Sequence, residues 1–285
     1  RRGSIGAIVA CTARCRLTWR GPSDSLLRCH QQSGEILRQQ EDAIEMDEAV
    51  QVPCLFYGLK RDADGVERVS VVEVSDGERL MFIDRGPPKV GEPVFTAEAV
   101  VSCKSYHFVW RNDHECQSCI RRAVIDMDDG HKIVYEDPGA FAQSIFRSSS
   151  SSVFLDDYVD IFAVLGLLAG KEAQGSDLRI GLVGLGGGAG ARQMCQLLPE
   201  RQMLAFERSS LVLAATAFMG GFLEDEQLEV RLANIFSESA GPRESLLFMA
   251  VDVAVDGGDW GDGRLPEELE RAETWSGLLE WLDRG

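Results

Sequence analysis

A glycine-rich turn between an apolar run and an apolar helix pattern constrains this chain most. Residues 179–183 are mostly apolar, and glycines then occupy positions 184, 186, 187, 188 and 190. Glycine adopts positive φ without a Cβ clash, so such a turn can approach a ligand closely. Apolar residues at 191, 194, 195 and 198 repeat with helical spacing up to Pro199. The sequence predicts a buried strand, a tight loop and a helix whose positive end faces the loop. A flexible turn between core elements is the alternative.

A second apolar run, residues 203–206, ends at a carboxylate. Glu207 lies 23 residues after Gly184, the spacing expected for an acid that accepts hydrogen bonds from ribose hydroxyls in nucleotide-binding sheets. A serine close behind it can cap the next helix pattern, residues 211–219, which two glycines end. This order of strand, loop, helix, strand, acid and helix predicts half of a doubly wound α/β sheet.

A family resemblance rests on these residues and on a segment upstream of them. Residues 183–190 with Glu207 resemble the cofactor loop and ribose acid of class I S-adenosylmethionine-dependent methyltransferases, in particular their spermidine-synthase-like branch. Gln143-Ser144 and the apolar helix pattern at 157–168 resemble the strand and helix that precede this loop in aminopropyltransferases and in elongation factor lysine and N-terminal methyltransferases.

Downstream, residues 246–256 are similar to the fourth strand of the same branch with its terminal aspartates. The resemblance covers roughly residues 120–282. It implies a Rossmann-like domain that binds S-adenosylmethionine or the decarboxylated form of that cofactor. The cofactor-binding residues that it implies are Gln143, Gly184, Gly186, Gly188, Glu207, Asn234 and Asp252.

The third predicted strand, residues 228–232, alternates apolar and charged residues and is followed by Asn234. In the family that the chain resembles, an acidic or amide side chain here contacts the adenine amino group, and the Asn234 carbonyl oxygen can accept from such a donor. Many relatives have aspartate at this place. The alternative is a turn asparagine that caps the next element.

Asp252 is the candidate catalytic residue, since it ends the fourth strand at the edge where open parallel sheets bind ligands. In the aminopropyltransferases that the chain resembles, an aspartate here helps to deprotonate the attacking amine. A methyltransferase needs less, because the sulfonium is already activated and the enzyme mainly aligns donor and nucleophile. The alternatives are that Asp252 only caps the following loop, and that Asp256 and Asp259 are solvated loop residues.

Three functions follow from the resemblance. The first is a methyltransferase acting on a protein amine, the second is an aminopropyltransferase that makes polyamines from a small amine, and the third is an inactive binding module. Residues 257–262 do not match the longer aspartate-bearing signature of polyamine synthases closely, which favours the first. The family continues with further strands where this sequence ends at Gly285, so a sheet truncated at its C-terminus is expected.

The composition and residue pattern along the chain predict three parts. Residues 1–50 are polar with little periodicity and are expected to be loosely ordered. Residues 51–145 contain alternating segments separated by Asp-Gly pairs, which predict a small antiparallel β-rich domain. Residues 153–285 form the Rossmann-like domain, and a run of five serines at 148–152 is expected to link the two.

Charge and cysteine content limit the partners. The formal net charge of −17, from 46 acidic and 29 basic residues, argues against nucleic acid, and no apolar stretch is long enough to span a membrane. The eight cysteines show no framework spacing, so reduced thiols in a cytoplasmic protein are expected. Cys116 and Cys119 have the spacing of half a zinc site, but the other half is missing, and no metal is expected. A homodimer is a further expectation.

Overall fold

The computed structural model describes residues 7–10, 50–61, 65–75, 77–89, 91–93, 95–110, 120–136, 141–147, 159–172, 178–220, 225–236, 245–253 and 267–282. The chain forms two compact units, one made of Arg1–Leu17 and Ser144–Gly285 and the other of Thr18–Gln143. The predicted divisions at residues 50, 145 and 153 remain predictions. Several predictions concern residues that lie outside this description: residues 1–6 and 11–49 of the N-terminal segment, the serine run, Cys116, Cys119, Asp256, Asp259 and residues 257–262.

Strands dominate the first half of the described chain, and helices alternate with strands in the second. The strands are β1 Ala7–Ala10, β2 Val50–Arg61, β3 Val66–Ser75, β4 Glu78–Gly86, β5 Glu98–Val100, β6 Cys103–Trp110, β7 Ile120–Met127, β8 Lys132–Glu136, β9 Phe141–Arg147, β10 Arg179–Val183, β11 Met203–Glu207, β12 Leu228–Leu232 and β13 Leu246–Val251. The helices are α1 Val159–Glu172, α2 Ala189–Leu197, α3 Ser210–Thr216, α4 Glu267–Glu270 and α5 Ala272–Leu279. None of these described helices is long and apolar enough to cross a membrane.

A parallel sheet organises the first unit, with strand order β1-β13-β10-β11-β12. The chain leaves β10 through α2 to β11 on one side, and β13 lies on the other side of β10. The point between β10 and β13 is therefore a topological switch point, the place where such sheets bind ligands. The predicted strands and the predicted α/β class are confirmed.

Side chains alternate between the two faces of this sheet along each strand, and an apolar core covers each face. Ile180 and Leu182 of β10 face a core that includes Phe162 of α1 and Met194 of α2. Val183 points to the opposite core, which is closed by side chains of α4, α5 and the turn after α5. Apolar burial on both faces explains why β11 and β13 are nearly continuous apolar runs, whereas β12 at the sheet edge alternates. The sheet is thus a doubly wound, Rossmann-like one.

The N-terminal segment contributes a strand that the sequence analysis does not predict. β1 pairs in parallel with β13, with Ala7 opposite Phe248 and Ala10 opposite Val251. The expectation of a loosely ordered segment is wrong for these four residues. A four-residue strand is too short for a clear period, and its partner lies more than 200 residues away in sequence, so nothing local announces it.

The second unit is an antiparallel sheet with strand order β8-β7-β6-β2-β3-β4, and β5 pairs with β2. β2 pairs with β6 through its first residues and with β3 and β5 through the rest. Gly77 and Gly130 adopt positive φ, 75° and 88°, in the hairpin turns that the Asp-Gly pairs predict. The predicted small β-rich part is confirmed as an antiparallel sheet, and β9 crosses from this unit into the first.

A disulfide joins Cys54 of β2 to Cys103 of β6. The β2/β6 ladder ends where Pro53 faces Ser105, so the chain just beyond that pair brings the two cysteines together, with Cα atoms 5.9 Å apart. The expectation of reduced thiols is therefore wrong for this pair. Cys195 of α2 is free and buried, and burial, with the nearby Asp225 charge, raises the pKa of its thiol to about 12.

Candidate functional site

The glycine loop, residues 184–188, follows β10 and leads directly into α2. Gly184, Gly186 and Gly188 have φ values of 87°, 52° and 79°, which side chains with a Cβ rarely adopt. The Gly188 N–H donates to the Leu185 carbonyl at 2.8 Å, closing the turn, and Gly188 is also the N-cap of α2. The loop therefore depends on glycine at these three positions for conformational reasons, before any ligand is considered.

Gly184 has a second reason to be glycine. A Cβ on it would lie 1.7 Å from the Asp252 carbonyl oxygen, because the ends of β10 and β13 approach closely. The Asp252 N–H donates to the Val183 carbonyl at 2.7 Å and fixes this approach. The predicted catalytic Asp252, which is half-buried, thus lies beside the start of the glycine loop at the switch point.

Glu207, at the end of β11, is tied to the same loop. Its Oε2 accepts from the backbone N–H groups of Leu185, at 3.1 Å, and Gly186, at 3.4 Å. Its Oε1 accepts from the Ser209 N–H at 2.8 Å, and the residue is only 7% exposed. A carboxylate offers about four lone-pair sites, so three of them are used within the chain. A ribose would have to use the remaining site or share an occupied one.

Ser144 and Phe146 of β9 contact the loop region, and the sequence analysis assigns neither of them a role in the site. The Gly187 N–H donates to Ser144 Oγ at 2.7 Å, and a Cβ on Gly187 would lie 2.3 Å from the Ser144 Cβ. Two residues further on, the Phe146 ring lies where a Cβ on Gly220 would be, at 2.5 Å. The only sequence signal is their i, i+2 spacing on a strand, which places both on one face.

Thr216 of α3 also holds the loop, and nothing in the local sequence indicates it. Its hydroxyl lies 2.7 Å from the Gly186 carbonyl oxygen and 2.7 Å from that of Val212, and the residue is fully buried. The Ser209 hydroxyl accepts from the Val212 N–H at 3.3 Å and caps α3, as predicted for a serine at this place. The loop is therefore anchored by α3 as well as by β11 and β9.

Asn234 lies at the same edge of the sheet as Glu207. The Ala233 N–H donates to the Glu207 carbonyl at 2.9 Å, which places the end of β12 beside the end of β11. The Asn234 side-chain oxygen accepts from the Phe236 N–H at 3.0 Å, the local turn that was the alternative to adenine binding. The role of Asn234 toward adenine stays a prediction.

Five of the predicted site residues meet in one place, the carboxyl edge of the parallel sheet: Gly184, Gly186, Gly188, Glu207 and Asp252. Asn234 follows β12 at the same edge. Gln143 lies in β9 and belongs to the other unit, and its side chain is outside what the structure describes. Within the described residues, no cluster of three or more histidine, cysteine or acidic side chains could hold a metal ion.

No family model matches the chain, and none of the curated proteins matches it. Among solved structures, it is similar to spermidine synthase from Thermotoga maritima, at 12% identity and a TM-score of 0.36 over 57% of this chain and 50% of that one. A probable spermidine synthase from Corynebacterium glutamicum aligns at 12% identity and 0.38, over 62% of this chain and 57% of that one. Coclaurine N-methyltransferase bound to N-methylheliamine and SAH aligns at 18% identity and a TM-score of 0.29, over 47% of this chain and 35% of that one.

The chain therefore spans about half the length of the spermidine synthases to which it is similar. At these identities and TM-scores no residue role is transferred from them.

Proposed function

We propose that this protein is an S-adenosylmethionine-dependent methyltransferase of the spermidine-synthase-like type, acting on a protein amine. The observation that supports this most is the convergence of the glycine loop, Glu207 and Asp252 at the switch point of a doubly wound parallel sheet. A nucleoside cofactor needs a backbone that can approach it and an acceptor for its ribose hydroxyls. The loop offers the first, and Glu207 offers the second.

Asp252 is proposed to act on the amine. In methyl transfer the nitrogen lone pair forms an N–C bond while the methyl–sulfur bond breaks, which leaves S-adenosylhomocysteine and an ammonium that must lose its proton. A carboxylate beside the sulfonium can orient the amine and accept that proton. Asp252→Asn keeps the shape but removes the charge, so it should bind cofactor within a few-fold of the parent and lose transfer by roughly a hundredfold. Radiolabelled methyl transfer to protein amines measures this, and undiminished turnover would exclude the role.

Cofactor binding is tested by calorimetric titration with S-adenosylhomocysteine. We expect the parent to bind it and Gly188→Val to lose binding, because valine cannot hold the φ of 79° that shapes the loop. Gly130→Val is the matched control, since Gly130 has a φ of 88° in a hairpin turn with open space around its Cβ position. It should suffer comparable backbone strain and keep its affinity. Unaltered affinity in Gly188→Val would remove the loop from the site.

A catalytically inactive binding module is the second candidate, and one observation favours it. Three backbone N–H groups already satisfy much of the Glu207 carboxylate, so the loop is held in place without any ligand. Failure of the parent to bind either S-adenosylhomocysteine or 5′-methylthioadenosine would favour this candidate. Aminopropyl transfer from decarboxylated cofactor is the remaining alternative, and cofactor preference separates it from methyl transfer.

A cytoplasmic location and a homodimer complete the proposal. The Cys54–Cys103 disulfide argues against the location, because disulfides persist mainly in oxidising compartments. Thiol labelling of the protein in freshly quenched cells decides the point, since a cytoplasmic protein should present both thiols to the label. Light scattering of the purified protein measures the oligomeric state.

A further inference from the structure

Arg192 lies in the first turns of α2, next to the glycine loop. Its backbone N–H donates to the Gly188 carbonyl at 2.9 Å. Side chains on a helix lean toward the N-terminus, so a long side chain at this position extends back toward the loop. The contact of Arg192 with Phe146 is consistent with that direction, since the Arg192 Cζ lies 4.4 Å from the centre of the Phe146 ring. Phe146 is two residues from Ser144, which accepts from Gly187 in the loop.

The guanidinium of Arg192 has an aromatic neighbour but no acceptor. Among the residues that the structure describes, no carboxylate or carbonyl oxygen lies within bonding distance of it. Arg192 is half-buried, and burial lowers the pKa of its guanidinium, with no neighbouring charge to counter the effect. The Cζ of Arg192 lies over the Phe146 ring, and the five N–H donors of the guanidinium remain available to a ligand.

This is unusual in a chain with 46 acidic and 29 basic residues. Several other arginines of the described chain contact carboxylates, as Arg85 does with Glu67 and Arg179 does with Glu229. Arg61 lies over the Phe95 ring as Arg192 lies over Phe146, but Arg61 is exposed. A half-buried cation without such a partner is costly unless an anion joins it. The position of Arg192 beside the proposed cofactor loop indicates where that anion would come from.

We propose that Arg192 receives the amino-acid carboxylate of S-adenosylmethionine, an inference that rests on the proposed function. The guanidinium fork matches a carboxylate in a bidentate pair, and the contact with the Phe146 ring restrains the side chain in advance. Decarboxylated S-adenosylmethionine lacks this carboxylate and presents only an ammonium, which Arg192 repels. The residue thereby selects the methyl donor and excludes the aminopropyl donor.

The test compares nucleosides that differ in the amino-acid part. S-Adenosylhomocysteine carries the carboxylate, and 5′-methylthioadenosine lacks the whole amino-acid moiety. In calorimetry, Arg192→Met should weaken S-adenosylhomocysteine roughly ten- to a hundredfold, the loss of a charge-assisted pair, and leave 5′-methylthioadenosine within about twofold. The parent should bind S-adenosylmethionine more tightly than its decarboxylated form, and Arg192→Met should reduce or remove that preference.

Two further variants separate recognition from folding. Arg192→Lys keeps the charge but loses the fork, so its affinity for S-adenosylhomocysteine should lie between those of the parent and Arg192→Met. If circular dichroism shows that Arg192→Met does not fold, Arg192→Lys is compared with the parent instead. Arg271→Met removes an exposed guanidinium from the N-cap of α5 and should leave the affinities for S-adenosylhomocysteine and 5′-methylthioadenosine unchanged.

Equal weakening of both nucleosides in Arg192→Met and Arg192→Lys would overturn the inference and leave Arg192 with a packing role on Phe146. Equal affinity of the parent for S-adenosylmethionine and its decarboxylated form would overturn it as well. In both cases the parent still binds nucleoside, so the proposed function stands. A parent that binds none of these nucleosides overturns the proposed function and this inference together.

Discussion

The two units bury charge in different ways. In the antiparallel unit, Arg68 is 3% exposed and donates to Asp84 at 3.2 Å and to Glu92, and two backbone carbonyls take its other donors. In the parallel unit, Glu207 is 7% exposed and is opposed by three backbone N–H groups and by no cation among the described residues. Arg68 is thus balanced by charges, whereas Glu207 is balanced only by dipoles.

This difference teaches which buried charge is available to a ligand. A buried ion whose donors and charge are both satisfied by neighbours stabilises one arrangement and has no spare capacity. The Glu207 carboxylate, held by backbone dipoles, is opposed by no cation among the described residues and keeps one acceptor site. It lies at the carboxyl edge of the parallel sheet, where such sheets bind ligands. We therefore expect changes in the antiparallel unit to alter stability alone, and changes around Glu207 to alter both stability and nucleoside affinity.

The largest expected effect comes from removing the cation at the centre of the charge-balanced cluster. Arg68→Met removes the buried cation that pairs with Asp84 and Glu92 and leaves only the charge of Lys89 near Asp84, whose pKa burial already raises. We expect the free energy of unfolding to fall by about 3–5 kcal/mol in urea titrations followed by circular dichroism. Arg79→Met is the control, because its pair with Glu73 is about one-third exposed on both sides, and it should change stability by less than about 1 kcal/mol. Equal losses in the two variants would mean that Arg68 is not a charge-balanced core residue.

The next largest effect is expected from removing the disulfide of the antiparallel unit, which should lower stability without changing nucleoside affinity. The Cys54–Cys103 bond closes a segment of 49 residues, and its removal in the double alanine variant should cost about 2–4 kcal/mol of unfolding free energy. The affinity for S-adenosylhomocysteine should not change. Cys195→Ala, which removes a free thiol from the core of the other unit, should cost about 1 kcal/mol. A disulfide variant that lost affinity as well would show that the two units do not respond separately.

Glu207 is where stability and affinity should fall together. Glu207→Ala leaves the Leu185, Gly186 and Ser209 N–H groups without their acceptor, so we expect a loss of about 1–3 kcal/mol of stability. S-Adenosylhomocysteine should bind at least about tenfold more weakly, since the proposed contact with the ribose would lose its charged acceptor. Glu207→Gln keeps one side-chain oxygen and should retain more of the stability than of the affinity. Reduced stability with unchanged affinity would make Glu207 a loop support only.

The sequence predicts this part of the molecule well because its signals are local. Apolar runs give β10, β11 and β13, and the spacing from Gly184 to Glu207 places the acid at a strand end. The contacts that hold the loop from outside are not local: Ser144 lies 43 residues before Gly187, and Thr216 lies 30 residues after Gly186. No spacing rule links such residues, and the same holds for β1 and for the disulfide.

Glycine illustrates the same limit. The sequence suggests that the loop glycines let a ligand approach, but Gly184 also makes room for the Asp252 carbonyl and Gly187 for the Ser144 side chain. A glycine pattern therefore reports close backbone approach without saying what approaches. Only the fold shows that part of this freedom is used by the chain itself.

The smallest expected effect tests whether a single distant contact shapes the loop. Ser144→Ala removes the acceptor of the buried Gly187 N–H, and Ser209→Ala removes the hydroxyl that caps α3, so each variant loses one bond between a hydroxyl and a backbone N–H. We expect both to lower the free energy of unfolding by about 1 kcal/mol. Of these two serines, Ser144 bonds the loop through its side chain, whereas the bond of Ser209 to Glu207 runs through its backbone N–H, which alanine preserves. The affinity for S-adenosylhomocysteine in calorimetry should therefore drop a few-fold in Ser144→Ala and stay unchanged in Ser209→Ala. If both variants bind alike, the loop keeps its binding shape from Glu207 and Thr216, and β9 only covers it.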